Sequence, residues 1–248
     1  MVQTVTTGSP PPLHLINADT KVALFLDFDG TLIEIASGPD AIAVPEGLAA
    51  RLEALSRRYD GRIALVSGRS VANIAQHLGP VAIARAGSHG GERLLADGSL
   101  LGAAPAAIPD EATDALRAYA GLYDGLEFEA KSHGAALHYR AAPQLEALAT
   151  GFAGKLAATY GLVMKLGKCV VELVNPGIDK AAAVRAFMDE AAFDGAMPIF
   201  VGDDITDEDG FRAANELGGF GVIVGDRPDT AARYRLETPA KVIEWLKL

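Results

Sequence analysis

Apolar residues fall in this chain into short continuous runs, separated by stretches in which they recur every three or four positions. Residues 22–28, VALFLDF, form an apolar run closing on an acid, the pattern of a strand buried on both faces of a parallel sheet. Leu48, Leu52 and Leu55 then mark one face of a helix over 45–59, with Pro45 near its start. IALVSG from Ile63 predicts a second strand, SVANIAQHL from Ser70 a helix, and VAIARAG from Val81 a third strand. This βαβαβ order predicts an α/β fold with a Rossmann-like, doubly wound parallel sheet.

The middle of the chain changes rhythm. ERLLADGSLLG carries an Asp97-Gly98 turn between short runs, which predicts a hairpin. A helix over 110–123 precedes the strand-like runs LEFEA and AALHYR, and a helix over 143–160 precedes GLVMKLG and CVVELV. Two repeats of a helix followed by paired strands predict an α+β layer with an antiparallel sheet. From Asp179 the earlier alternation returns: a helix through Ala191, the strand PIFVG, a helix from Asp207, the strand GVIV and a final helix. The expected organisation is an irregular lead-in over 1–20, a core formed by 21–88 and 176–248, and an inserted α+β cap over 89–175.

Composition narrows the partners. The 248 residues carry 22 Lys plus Arg against 32 Asp plus Glu, a net charge of −10, and no basic block appears. Binding to nucleic acid or an anionic membrane by counterion release needs clustered cations, so neither partner is expected. One cysteine, Cys169, excludes an intramolecular disulfide framework. The apolar runs are far shorter than the ~20 residues of a membrane span. The first residues lack both the basic start and the apolar run of a signal peptide. A cytoplasmic protein is expected; the sequence leaves the oligomeric state open, with a monomer favoured.

The candidate chemistry is acidic. LDFDGTL puts Asp27 and Asp29 at the carboxyl end of the first strand, the edge where open α/β sheets bind ligands. VGDDITDED supplies Asp203, Asp204, Asp207 and Asp209 at a second strand end. Such a cluster is costly unless a cation offsets it. Oxygen-only donors argue for Mg²⁺, and no Cys and His spacing of a zinc site is present. A calcium-loop reading of the second cluster fails because Ile205 would occupy the first ligand position. GLVMKLGKC falls short of a phosphate loop, having one residue too many and no closing Ser or Thr.

DFDGTL, VSGR, a lysine opening a helix, and GDDITDEDGF, in that order, resemble the four motifs of the haloacid-dehalogenase (HAD) superfamily of Mg²⁺-dependent phosphotransferases. An insertion between the second and third motifs is similar to the subgroup that includes sugar phosphatases. DFDGTLIEIA paired with GDDITDEDGF, with SHGGE, HYR and VVELVNP between them, most resembles the trehalose-6-phosphate phosphatases. Val174 and Ala181 stand where those relatives usually carry a basic residue and a glycine.

The resemblance implies a phosphosugar substrate, with Asp27 as nucleophile, Asp29 as acid and base, and Ser67 and Lys180 completing the catalytic set. Mg²⁺ would be held by the Asp27 side chain, the Asp29 backbone carbonyl and Asp203, with Asp204 and Asp207 orienting a metal-bound water or Lys180. Gly68 and Arg69 would receive phosphate beside Ser67. Resemblance and residue type together nominate Glu172 for the sugar, followed by Lys131, Arg140, His89, Glu92 and Asn175. Two readings stay open beside trehalose 6-phosphate hydrolysis: a phosphatase of sucrose 6-phosphate or mannosyl-3-phosphoglycerate, and a non-catalytic sugar-phosphate sensor.

Overall fold

The computed structural model describes residues 8–35, 42–103, 106–131 and 133–248. The chain divides into two compact units, one formed by Met1–Ala103 with Asp179–Leu248, the other by Ala104–Ile178.

The first unit is built on a seven-stranded sheet of order β11-β10-β9-β1-β2-β3-β4. Its strands are β1 (Val22–Leu26), β2 (Ile63–Val66), β3 (Ala84–Gly87), β4 (Glu92–Leu94), β9 (Met197–Gly202), β10 (Phe220–Val224) and β11 (Tyr234–Leu236). All neighbours pair in parallel except β3 and β4. β1 lies between β2 and β9 and every one of its residues is buried, as its uniform apolarity requires.

Alternate residues feed two cores. Leu24, Leu26, Ile63, Leu65, Ile199 and Val201 pack on one face with the leucines of α2 (Leu48–Arg58), Ile74 of α3 (Val71–Leu78) and Val242 of α8 (Pro239–Leu246). Phe25, Val66, Phe200 and Ile223 pack on the other with Phe187 of α6 (Lys180–Met188) and Phe211 of α7 (Asp207–Glu216). Helices cover both faces, the doubly wound arrangement read from the sequence.

Three details differ from the sequence expectation. The lead-in is not irregular throughout, because α1 spans Leu13–Asp19 and Leu13 is buried in the first core; residues 1–7 lie outside the described residues. β11 was not anticipated, since YRL is short, half-buried and without an apolar run. Residues 89–103, expected in the cap, lie with the main sheet: β4 turns back antiparallel onto β3 in the register Gly87↔Glu92, and the Asp97-Gly98 turn brings Leu100 against Leu94. The break in the chain therefore falls at Ala104 and Ile178 rather than at residues 89 and 175.

The second unit holds a four-stranded antiparallel sheet of order β5-β6-β8-β7. It comprises β5 (Glu127–Lys131), β6 (Gly134–His138), β7 (Val163–Gly167) and β8 (Val170–Val174), with α4 (Asp110–Ala120) and α5 (Glu146–Tyr160). Ala135, Leu137, Val171 and Leu173 form its apolar face and pack with Leu116 of α4 and Ala149 and Ala153 of α5. A β-strand presents alternate residues to opposite faces, so the other face carries Glu129, Ala136, Glu172 and Lys165 on a single rung, with Lys131 and Gly134 on the next. No helix among the described residues is long and apolar enough to cross a membrane.

Candidate active site

The carboxyl ends of β1, β2 and β9 gather the first unit's candidate residues. Asp27 follows β1 directly, its N–H donating to Val201 O on β9 at 2.9 Å. Its side chain is 7% exposed, and Oδ1 accepts from Lys180 Nζ at 2.8 Å. The same ammonium donates to Asp207 Oδ1 at 2.6 Å, and Asp207 is fully buried. Lys180 is the first residue of α6, which Asp179 caps by accepting from Ala182 N at 2.7 Å. The lysine is thus fixed by its own helix start, 153 residues along the chain from the carboxylate it meets.

Asp207 also uses its second oxygen, accepting from Asp203 N at 3.0 Å and Asp204 N at 2.9 Å. It therefore ties Lys180 to the loop that carries Asp203. Of the two acids expected to orient a metal-bound water or Lys180, Asp207 meets the lysine and Asp204 does not. Asp204 points away, its Oδ1 accepting from Ile205 N at 2.6 Å and from Arg227 Nη2 at 3.3 Å. The reason is helical: Asp207 opens α7 beneath the loop, while Asp204 stands on the loop's outer side with its side chain 42% exposed.

Burial sets the electrostatics. It pushes the Asp27 carboxyl well above the ordinary aspartate range; Lys180 opposes this, and Asp207 and Asp203 reinforce it. Burial also works against the Lys180 ammonium, but Asp207 and Asp27 outweigh it and hold the group charged above its usual range. Asp27, Asp203 and Asp207 can each bring a carboxylate oxygen within 4.8 Å of the others. Three carboxylates facing one ammonium leave two negative charges in excess.

That donor set fits a hard divalent cation. Asp207 has both oxygens engaged, so Asp27 and Asp203 are the side chains fitted to hold it. A close approach supports the Asp29 backbone as a neighbour: Gly30 has φ +72°, and a Cβ there would lie 2.2 Å from Asp203 Oδ2. Only glycine at that turn lets Asp203 reach the chain beside Asp29.

Asp29 itself is engaged by an arginine. Arg69 Nε donates to Asp29 Oδ2 at 2.6 Å and Nη2 to Oδ1 at 2.8 Å, a bidentate fork, while Nη1 donates to Asn73 Oδ1 at 2.6 Å. Arg69 was expected to receive phosphate, and neither the fork nor Asn73 was foreseen. Ser67 is buried at the end of β2, and its Oγ accepts from Arg69 N at 3.2 Å. The segment Ser88–Gly90 braces this turn, Ser88 N donating to Arg69 O and His89 N to Ser67 O.

His89 and Glu92, nominated as cap contacts, belong to the first unit. The His89 ring lies over Gly68, where a Cβ would come within 2.8 Å of Cε1. Glu92 Oε2 accepts from Val71 N at 3.1 Å, satisfying a free donor at the start of α3. Both stand in the larger unit because the chain leaves the main sheet only after residue 103.

In the second unit Lys131 Nζ donates to Glu172 Oε2 at 2.6 Å, with side chains 15% and 4% exposed. Strand alternation adds Glu129 and Lys165 to their face, a signal available in the sequence once β5 and β7 are registered against β8. Glu129 pairs with His138 Nε2 at 2.8 Å, and that bond holds the carboxyl below its usual range. Arg140 Nη2 donates to Lys168 O at 3.3 Å. Asn175 donates to the carbonyls of Ala106 and Ala107, tying the strand's exit to the chain's entry.

Known proteins resemble this chain in sequence and in fold. The chain is 40% identical over 230 residues to the trehalose-6-phosphate phosphatase of Escherichia coli (strain K12), covering 92% of this chain and 86% of that protein. The C-terminal domain of the C. albicans trehalose-6-phosphate phosphatase superposes with a TM-score of 0.80 at 24% identity, covering 98% of each chain. A phosphatase of the haloalkanoate (HAD) enzyme superfamily from Bacteroides thetaiotaomicron shares the fold at a TM-score of 0.62 and 17% identity, over 92% of this chain and 94% of that one. Residues 25–240 match the family described as Trehalose-phosphatase, and the chain belongs to it.

Proposed function

We propose that the protein is a Mg²⁺-dependent phosphatase that hydrolyses trehalose 6-phosphate to trehalose and inorganic phosphate. The observation that carries the reading is the buried Asp27–Lys180–Asp207 chain with Asp29 two residues beyond the nucleophile. A carboxylate that must approach a phosphate dianion needs fixed positive charge, and Lys180 supplies it without exposure to water. Family membership supports the choice of sugar.

In the first half-reaction an Asp27 carboxylate oxygen attacks phosphorus, the bond from phosphorus to the sugar oxygen breaks, and Asp29 in its acid form donates the proton that the leaving oxygen takes up. Trehalose departs and an aspartyl-phosphate remains. Water then attacks phosphorus, Asp29 takes its proton, and the bond to Asp27 breaks to release phosphate and restore both groups. Lys180 holds Asp27 in line, and Ser67 with its turn donates to the phosphoryl oxygens. Mg²⁺, held by Asp27, Asp203 and the Asp29 carbonyl, would neutralise charge on the phosphoryl oxygens. Residues 104–178 serve as the cap, and their charged sheet face, Glu172 and Lys131 first, recognises the sugar hydroxyls.

The test is phosphate release with Mg²⁺ across trehalose 6-phosphate, sucrose 6-phosphate, glucose 6-phosphate and mannosyl-3-phosphoglycerate. Strong preference for the first is expected, with Asp27→Asn inert. Preference for another sugar would move the substrate and keep the chemistry. Parent-level turnover by Asp27→Asn would overturn the mechanism.

A further inference from the structure

Asp29 has to exchange a proton twice in each cycle, yet both its oxygens are engaged by one guanidinium at 2.6 and 2.8 Å. The fork is held from three sides. Arg69 Nη1 is tied to Asn73 Oδ1 at 2.6 Å, Arg69 N to Ser67 Oγ at 3.2 Å, and Arg69 O accepts from Ser88 N at 2.6 Å. Asn73 stands in the first turn of α3, where its own N–H donates to the cap residue Ser70. The Arg69 side chain is 13% exposed and the Asp29 side chain 33%. A planar fork of this kind fixes the plane and direction of a carboxylate, which a point charge such as lysine does not.

We infer that Arg69, anchored by Asn73, is the positioning residue for Asp29, setting the direction from which that carboxyl reaches the leaving oxygen and then the attacking water. The inference rests on the phosphatase reading above and adds to it a residue that acts through Asp29 rather than on the phosphate. Ser67 and Arg69 belong to the same turn, which makes the phosphate-receiving hydroxyl and the acid's holder parts of one rigid piece.

The assay compares Arg69→Met, Arg69→Lys and Asn73→Ala with the parent on trehalose 6-phosphate and on p-nitrophenyl phosphate, whose phenolate leaves without needing a proton. General acid–base catalysis contributes roughly 10²–10⁴-fold. Arg69→Met is expected to lose about 10–100-fold in kcat on the sugar phosphate with KM within about 3-fold, since only part of that contribution depends on direction. Its nitrophenol burst should stay within about 3-fold of the parent rate, followed by a slower steady state as water activation lags. Arg69→Lys should recover a minor part of the loss, and Asn73→Ala should show the same pattern in smaller degree. An equal rise in KM on both substrates with kcat intact would make Arg69 a phosphate ligand and overturn the inference, as would parent-level kinetics in Arg69→Met and Asn73→Ala. Should Arg69→Met fail to fold, Asn73→Ala decides alone. Asp29→Asn separates the two readings: parent-level activity in that variant would refute the mechanism itself, whereas a defect there beside unaffected Arg69 variants would refute only the positioning role.

Discussion

Lys180→Met places the site's electrostatics under direct test. The ammonium makes two charge-assisted bonds, at 2.8 and 2.6 Å, among side chains that are 3%, 7% and 0% exposed. Removing one partner of a buried pair leaves charge uncompensated and costs about 3–5 kcal/mol. For a chain of this length each kcal/mol moves the melting temperature by about 2–4 °C, so a fall of roughly 6–20 °C is expected in chelator. The pH dependence has a fixed sign. Burial already raises the Asp27 pKa against the pull of Lys180, and losing the lysine raises it further. A carboxyl whose folded pKa lies above its unfolded value binds protons more readily when folded, so stability increases as pH falls through the folded pKa and is lost as pH rises. The deficit of the variant should therefore be smaller near pH 5 than near pH 8. Scanning calorimetry of both proteins at the two pH values, with and without Mg²⁺, provides the comparison. A variant melting within about 2 °C of the parent in chelator at both values would refute the argument that this charge is buried and compensated.

Gly30→Ala adds a Cβ at φ +72° that would meet Asp203 Oδ2 at 2.2 Å, and titration calorimetry should show Mg²⁺ affinity reduced at least about 10-fold, with a stability loss of about 1 kcal/mol or more. Glu172→Gln leaves the Lys131 ammonium without its charged partner at 2.6 Å; KM for trehalose 6-phosphate should rise roughly 10–100-fold while kcat changes little, and an unchanged KM would remove this pair from sugar recognition. Phe211→Ala empties a position buried against Phe200, whose ring lies 5.7 Å away edge-on, and denaturant unfolding should report a loss of about 3–5 kcal/mol with KM unaltered.

Asp27 and Asp203 could be read from the sequence because each directly follows a strand. An unbroken apolar run fixes where the sheet's carboxyl edge lies, and Asp27 and Asp203 follow such runs directly. The glycine between Asp29 and Thr31 marks the turn. What each acid does once there depends on partners far along the chain, and no local pattern announces those. Asp207 rather than Asp204 meets Lys180 because the helix begins at 207, a distinction of three residues within a run of similar acids. The fork of Arg69 on Asp29 spans 40 residues and depends on the bend after β2. The cap boundary was misplaced for a different reason: residues 92–101 have a hairpin pattern that suits either sheet, and only pairing with β3 assigns them to the larger one.

The place of β1 between β2 and β9 also bears on how the chain is made. One edge of that wholly apolar strand can close as soon as residues 63–66 emerge, but its other partner is β9, at Met197–Gly202. At synthesis rates of about 5–20 residues per second the open edge waits roughly 10–35 s on the ribosome, while the intervening antiparallel sheet has time to form. Unpaired apolar edges invite association with other chains. Fast synthesis shortens that interval, so slower translation of the residues between β2 and β9 is expected to lower the yield of intact protein without touching its active site.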